Sequence, residues 1–517
     1  MKNLEIDWNE YILWDMCAGV GNLQESLDFI PRQSIYLSTL DYIDVDTLQK
    51  KKDENGNYVF YKDNCFQYDY LNDDIVDNKI IYKEIKNDKG EITKIRKLPL
   101  ELENAIKNKK VLVFINPPYV EGSEKNSDIK AGVGHTKIEK IANDYGKAVR
   151  ELTIQFLIRI QKELPNCIIA MFSKLKHING RNFVTFRELW QPKYLDGFIM
   201  SSKNFNLSGE FPIGFLIWDT SKKKEHKEIK VDILNNETKK TGTKIYYSFK
   251  DGQYINDWIK RVKIDTTESI PLSNALTLSK SKSSIDKTSK DSLGYLSGTA
   301  GCDFQQNNIV FITSGTYINK LGVNITKENL SQSCIFNAVR RAISHSWILD
   351  RDQFLKPHTE PDEDFTNDCI VMTLFSASNL SASGDLKYKI DKKHPDGMWH
   401  LTNHWIPFSQ EQLGRIKLES TFMSDFIKDK NFSKEAQDVL DEGLRIWRFY
   451  LQNYHNFTNT KQGDIDLQLN DNAGWYQIRM ALQNNGYEDE LRTLKELQLI
   501  LNDKIVSGVY KFGFLLE

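Results

Sequence analysis

Residues Val111–Tyr119 read Val-Leu-Val-Phe-Ile-Asn-Pro-Pro-Tyr, and no other stretch restricts the fold so strongly. Five apolar residues without a polar break predict a strand buried on both faces, the habit of parallel sheets covered by helices. Proline cannot donate to a ladder, so the sheet has to end at Asn116. Two consecutive prolines fix φ twice and present Asn116 and Tyr119 on a stiff turn. Open α/β sheets bind their ligands at the carboxyl ends of strands. Taken alone, the tetrapeptide also suits an ordinary strand exit. The residues upstream decide between the two.

Tyr11–Trp14 reads as another strand, followed by Asp15, by a turn holding Gly19 and Gly21, and by a helix from about Asn22. Glycine serves where backbone approaches a ligand or takes positive φ, and a helix start offers free N–H groups. The next strand, Ser34–Leu40, runs into Asp41, twenty residues beyond Gly21, where an acid can accept from ribose hydroxyls. The third glycine of a dinucleotide fingerprint is missing, and so is the Lys-Ser/Thr of a phosphate loop. The pocket therefore suits an adenosine without a phosphate chain. Cys65–Leu71 ends a further strand with Asp69 and Tyr70, an acid able to accept from an adenine amino group beside a ring able to stack on it. A capping Asp followed by a half-buried Tyr is the simpler alternative there.

Residues 77–110 are dense in charge and predict an excursion of hairpin and helix before the strand at 111. The polar, glycine-bearing stretch 120–135 predicts an active-site loop. Asp144–Lys162 carries apolar residues at helical spacing, Cys167–Phe172 predicts a strand, and a loop with Phe205 feeds the strand Ile213–Trp218. A Lys-rich hairpin (Ile229–Leu234, Lys244–Tyr247) closes this part. Composition shifts near 266, through the Ser- and Lys-rich stretch Ser279–Ser292, and helical patterns return at Leu330–His345, Lys434–Asn453 and Gly474–Asn502.

At 517 residues, 40% hydrophobic and 27% charged, the chain suits two or three globular domains. No apolar run approaches the roughly 18 residues that span a bilayer, and Met1–Glu5 opens no signal peptide. Cys17, Cys65, Cys167, Cys302, Cys334 and Cys369 are scattered without a Cys-x-x-Cys, which suits free thiols in a reducing cytoplasm. A net charge of −2 announces no nucleic-acid binder, although a basic face can hide inside such a total. His394, His400 and His404 cluster among prolines and Gly397 without the glutamate of a zinc-binding helix, so no metal is expected. Pro361-Asp362 likewise lacks the acid-x-Lys that would follow it in a nuclease.

Strand–Asp15–glycine turn, an acid at the next strand end, Asp-Tyr at the third and Asn-Pro-Pro-Tyr at the fourth together resemble the S-adenosylmethionine-dependent amino methyltransferases. The closest likeness is to the DNA adenine-N6 type, with cofactor motif, catalytic motif and recognition domain in that order. The resemblance spans residues 11–220. It implies a Rossmann-like seven-stranded methyltransferase sheet in residues 1–265, facing a mixed α+β target recognition domain in residues 266–517 across a DNA-sized cleft. S-adenosyl-L-methionine is the implied cofactor, held by Asp15, Cys17, Gly19 and Gly21, with Asp41 on its ribose and Asp69 and Tyr70 at its adenine. Asn116, Pro117, Pro118 and Tyr119 are the implied catalytic residues. Tyr119 and Phe205 would stack on the target base, with Phe211 in reserve.

The implied substrate is double-stranded DNA, methylated on a flipped-out adenine, with a separate restriction endonuclease as an outside partner. Base readers would come from the second half, with Gln305, Gln306, Asn307, Asn308, Arg340 and Arg341 as candidates. The family usually has a further cofactor-binding segment before the first strand. Here ten residues without proline precede Tyr11, which leaves that contact to Trp8 or another part of the chain. RNA adenine and protein glutamine pose the same chemical problem and remain alternatives, as does a catalytically silent DNA-binding module.

Overall fold

The computed structural model describes residues 4–82, 85–119, 136–263, 270–272, 286–288, 292–315, 322–387, 398–414, 416–458, 461–462, 465–466 and 469–517. The loop at 120–135, most of Ser279–Ser292 and His394 lie outside them. The chain forms two compact units, residues 1–251 with 346–351, and residues 252–345 with 352–517.

The first unit is built on a sheet of nine strands. They are β1 (Tyr11–Asp15), β2 (Ile35–Thr39), β3 (Cys65–Gln67), β4 (Lys110–Ile115), β5 (Cys167–Lys174), β6 (Pro192–Ser201), β7 (Pro212–Lys223), β8 (Glu228–Leu234) and β9 (Lys240–Tyr247). In space they run β9-β8-β6-β7-β5-β4-β1-β2-β3. β3, β2, β1, β4 and β5 are parallel, and β7 enters antiparallel between β5 and β6. The five parallel strands therefore bring their carboxyl ends, and with them Asp15, Asp41, Asp69 and Asn116, to one edge.

The unbroken apolar runs follow from burial on both faces. Val111, Val113 and Ile115 enter one core with Ile12 and Trp14, whereas Leu112 and Phe114 enter the other with Tyr11 and Leu13. The sheet exceeds the seven strands expected because the hairpin β8–β9 extends it beyond β6, β8 running parallel to β6. Sequence reading missed β6, where Pro192, Asp196 and Gly197 interrupt the strand pattern. Gly197 permits close pairing, since a Cβ there would come within 2.6 Å of the Phe215 carbonyl oxygen.

No helix follows Gly21. Residues 22–26 form turns instead, with Gly19 and Gly21 at φ of 51° and 75°, and the N–H groups of Gln24 and Glu25 both converge on the Gly21 carbonyl, at 3.2 and 3.1 Å, without starting a helical ladder. The expected row of free helical N–H groups is therefore not formed there. A Cβ on Gly21 would stand 2.5 Å from Leu48 Cδ2 and 2.7 Å from Phe60 Cε2. Gly21→Ala is thus expected to cost about 1–3 kcal/mol in urea unfolding, through crowding and the positive φ together. An unchanged midpoint would mean that the turn relaxes freely.

Helices α1 (Tyr42–Lys50), α2 (Leu100–Asn108) and α3 (Leu152–Glu163) flank the sheet. The helix expected from Asp144 starts only at Leu152, because Gly146, at φ of 68°, kinks the 3-10 turns before it. A short return of the chain completes the unit: Trp347 and Ile348 pack on its core, and the Tyr246 hydroxyl donates to the Ile348 carbonyl at 2.9 Å. Asn179 Nδ2 donates to the Arg351 carbonyl in the same segment.

The second unit holds a small sheet of β10 (Gly294–Leu296), β11 (Ile312–Thr313), β12 (Val323–Ile325) and β13 (Asn379–Leu380), in the order β12-β10-β11-β13. Its main helices are α4 (Leu330–Ala342), α5 (Glu363–Phe375), α6 (Lys434–Asn453), α7 (Trp475–Asn484) and α8 (Arg492–Lys511). The single helical pattern at 474–502 is two helices, parted where Gly486 takes φ of 79°. Arg340, a candidate base reader in the sequence, is taken up by the interior of the unit. It is fully buried and donates to Asn307 Oδ1 at 2.6 Å and to the carbonyls of Gly301 and Asp303 at 2.8 and 3.0 Å, which fixes the loop ahead of β11. Among the described residues no helix is long and apolar enough to cross a membrane.

Candidate active site

Asn116 leaves β4 exposed, while Pro117 behind it is buried. The Tyr119 hydroxyl donates to Asn116 Oδ1 at 2.6 Å, so the double proline folds its two neighbours onto each other. Lys174, the last residue of β5, donates from Nζ to the Tyr119 carbonyl at 3.3 Å. The same ammonium stands 5.5 Å from the Phe211 ring, and the Arg351 guanidinium stands 5.5 Å from that ring as well. Phe211 thus lies beside the Asn116 turn between two cations. Phe205, half-buried on the loop after β6, packs edge-on against Phe172 of β5 at 5.5 Å.

β1 brings Asp15 to the same place. Its carboxylate is 1% exposed and accepts from the Cys17 N–H at 2.8 Å and from the Gln24 amide. Gln24 Nε2 also donates to the Phe114 carbonyl at 3.3 Å, so one side chain ties the acid of β1 to the strand that carries Asn116. Sequence reading missed Gln24; the only signal was a polar residue just past the glycine turn. Its Oε1 is buried without a hydrogen-bond partner among the described residues.

Burial pushes the Asp15 carboxyl up to about 7, against the hydrogen bonds from Cys17 and Gln24. Burial and the nearby Asp15 likewise raise the Cys17 thiol well above its usual value, with the Asn116 backbone acting in the other direction. Burial raises the Tyr119 hydroxyl too, so it remains a donor near neutral pH. A carboxyl that titrates near 7 when folded, and near 3.9 when unfolded, favours the folded state in its protonated form. Its contribution is fully present below the unfolded value and is lost as pH rises through about 7. Asp15→Asn is expected to stabilise the protein at pH 8 by about 2–4 kcal/mol more than at pH 5, measured by urea unfolding at both values. An equal effect at both would mean that Asp15 titrates as an ordinary carboxyl.

Two further acids occupy neighbouring strand ends. Asp41 is exposed and its side chain caps nothing in α1. Asp69 accepts locally, from the Leu71 N–H at 3.1 Å and Asn72 Nδ2 at 2.8 Å. The Tyr70 ring is not presented at this edge. It is 2% exposed and enclosed by Trp14, Phe156 and the Arg159 guanidinium. Trp8 is buried as well, against Tyr11 and Phe29.

Arg159, buried on α3, organises the loop after β3. It donates to the carbonyls of Tyr70 and Asp73, to the Tyr68 hydroxyl at 2.7 Å and to Glu163 at 3.2 Å. In the second unit His400 sits between Asp385 and Glu419, at 2.8 and 2.9 Å, and His404 bonds Ser420 Oγ at 2.8 Å. No group of three metal-ligating side chains is found among the described residues.

Five parallel strands, a reversed β7 between β5 and β6, and a glycine turn with acids on the carboxyl edge define a Rossmann-like methyltransferase fold. No protein-family model and no curated protein matches the chain. Its neighbours among solved structures include restriction–modification enzymes. The ATP-dependent Type ISP enzyme LlaBIII bound to DNA is 11% identical, with 98% of this chain and 46% of that one covered and a TM-score of 0.35. The Type IIL enzyme MmeI in complex with DNA is 12% identical, with 96% and 70% covered and a TM-score of 0.30. A modification subunit of a type I enzyme from Vibrio vulnificus is 9% identical, with 50% and 53% covered and a TM-score of 0.28. The chain spans about a quarter to a half of the length of several such proteins.

Proposed function

We propose that the chain transfers a methyl group from S-adenosylmethionine to the N6 amine of an adenine flipped out of double-stranded DNA, as the modification enzyme of a restriction–modification or orphan system. The observation that carries this reading is the joined pair of strand ends. The stiff Asn116–Tyr119 turn, with an amide oxygen and a ring, is linked through Gln24 to the buried acid and glycine turn of β1.

The residues suit the cofactor. Apart from its chain neighbours, no heavy atom of the described residues lies within 4 Å of the place a Cβ on Gly19 would take, the buried Asp15 carboxyl and the Gln24 oxygen, without a hydrogen-bond partner among the described residues, give the turn a negative pole, and Asp41 stands exposed on the next strand end. Asp15, Cys17, Gly19 and Gly21 would hold the amino-acid end, Asp41 the ribose, and Asp69 with the backbone at Tyr70 the adenine. When bound, the cofactor supplies a methyl already activated on a positively charged sulfur. What remains for the protein is alignment and acceptance. An exocyclic adenine amine is a poor nucleophile, because its lone pair is delocalised into the ring. The Asn116 oxygen and the Pro117 carbonyl, accepting its two N–H groups, draw the nitrogen towards tetrahedral geometry and localise that pair. No strong base is required. The target must leave the duplex, and Tyr119, Phe205 and Phe211 are the rings available to stack on it.

We assign transfer to residues 1–265 and target recognition to residues 266–517. The test is transfer of labelled methyl to unmethylated genomic DNA, total RNA and protein extract in parallel. N6-methyladenine in DNA supports the reading. Label in RNA or protein alone overturns the substrate, and no label despite cofactor binding overturns the activity.

A further inference from the structure

We infer that the first unit carries a second site, for a nucleoside phosphate, in the cavity that runs along α1 to the amino ends of β2 and β3. A cavity of about 770 Å³ opens beside α1, within the range of small-molecule sites. Arg32 and Lys62 in its wall stand just ahead of β2 and β3. Those are the amino ends of strands whose carboxyl ends lead to Asp41 and Asp69. Tyr42, the residue after Asp41, lines the other end of the cavity, so it is the basic end with Arg32 and Lys62 that stands away from the place proposed for the cofactor, and the ligand there is argued independently of methyl transfer.

Its lining has the composition of a nucleotide site. Tyr42, Tyr58 and Tyr61 all face it, and each remains largely in water, at 69%, 62% and 55% exposure. Single exposed rings are ordinary, but three converging on one cavity form an aromatic surface that nothing in this unit covers among the described residues. Phe60 adds a fourth ring from the core side, 5% exposed and packed beneath Gly21. Basic groups alternate with these rings. The Arg32 guanidinium is held at the wall by donating to the Val59 carbonyl at 3.3 Å, and Lys52 stands 5.1 Å from the Tyr58 ring. Lys50 pairs with the one acid of the lining, Asp46, at 2.7 Å, so Arg32 and Lys62 leave the cavity net positive. Rings stack on bases and cations hold phosphates. A base with a phosphate satisfies both, as a free mononucleotide or as one unit of a single strand. S-adenosylmethionine, lacking a phosphate, does not.

The intact chain, with excess S-adenosylhomocysteine present to fill any cofactor site, is irradiated with 5-iododeoxyuridine monophosphate or with a single-stranded oligonucleotide containing 5-iodouracil. Adducts are then mapped by mass spectrometry. Adducts on Tyr58 or Tyr61 are expected, competed by thymidine monophosphate and not by thymidine or inorganic phosphate. Labelling by the mononucleotide identifies a free nucleotide as ligand, and labelling by the oligonucleotide alone identifies a strand. Tyr58→Ser and Lys62→Glu, both at the surface, should each weaken binding of the labelling probe by about tenfold at unchanged Tm. Adducts elsewhere, competition by thymidine or phosphate alone, displacement by S-adenosylhomocysteine, or unchanged affinity in both variants would overturn the site.

Discussion

Asn116→Ala is expected to lower methyl transfer by about 10²–10³-fold, the usual effect of removing one preorganised hydrogen-bonding group from a transition state. Stability should stay within about 1 kcal/mol, because the side chain is exposed and lies beyond the end of β4. The structure adds a finer expectation. Asn116 Oδ1 already accepts from the Tyr119 hydroxyl at 2.6 Å, and in the proposed reaction a substrate amine has to displace that donor. Tyr119→Phe removes the competitor and keeps the ring, so transfer should persist within about tenfold of the parent. Tyr119→Ala removes the stacking surface and should cost about 1–3 kcal/mol of base binding. Single-turnover assays on an adenine-containing duplex distinguish the three variants. A parental rate in Asn116→Ala would place the transfer somewhere else.

The largest stability effect is expected at Arg159. Arg159→Met should destabilise the protein by about 3–5 kcal/mol, the cost of stranding the partners of a buried charge. Methionine matches the volume but donates nothing to the carbonyls of Tyr70 and Asp73 or to the Tyr68 oxygen. Glu163, 3% exposed, would keep Arg96 at 3.0 Å but lose the guanidinium one turn earlier on its own helix. Arg159→Lys should recover little, because one ammonium cannot span the same partners as a guanidinium fork. Urea unfolding followed by the tryptophan signal measures both variants. A small change in both would show that water already reaches the cluster.

The parts of the fold that were legible in sequence are those where burial is uniform or strictly periodic. β1, β4 and β5 are apolar because both faces are covered, and α6 keeps one buried stripe from Ala436 to Tyr450. β6 was hidden by Pro192 and Gly197, whose value lies in close pairing with β7 and not in strand propensity. α5 was hidden by the opposite cause. Most of its residues are buried, so it has no polar face to mark a helical period. At the candidate site, Asn116 and Tyr119 are neighbours already in sequence, and a strand–turn pattern marks the end of β1 at Asp15. Gln24 and Arg351 reach their positions only through tertiary packing. Tyr70 shows the converse: an acid-aromatic pair on paper, whose ring the core takes up.

The return of Ser346–Arg351 to the first unit has a consequence for biosynthesis. That unit cannot be completed when its ninth strand leaves the ribosome at Tyr247, because Trp347 and Ile348, which pack on its core, have yet to be made. At translation rates of about 5–20 residues per second, Arg351 follows Tyr247 by roughly 5–20 s. Until then the sheet waits with part of its apolar surface uncovered, a state open to chaperones and proteases. Any shortened gene that stops at the apparent end of the sheet would make that waiting state permanent.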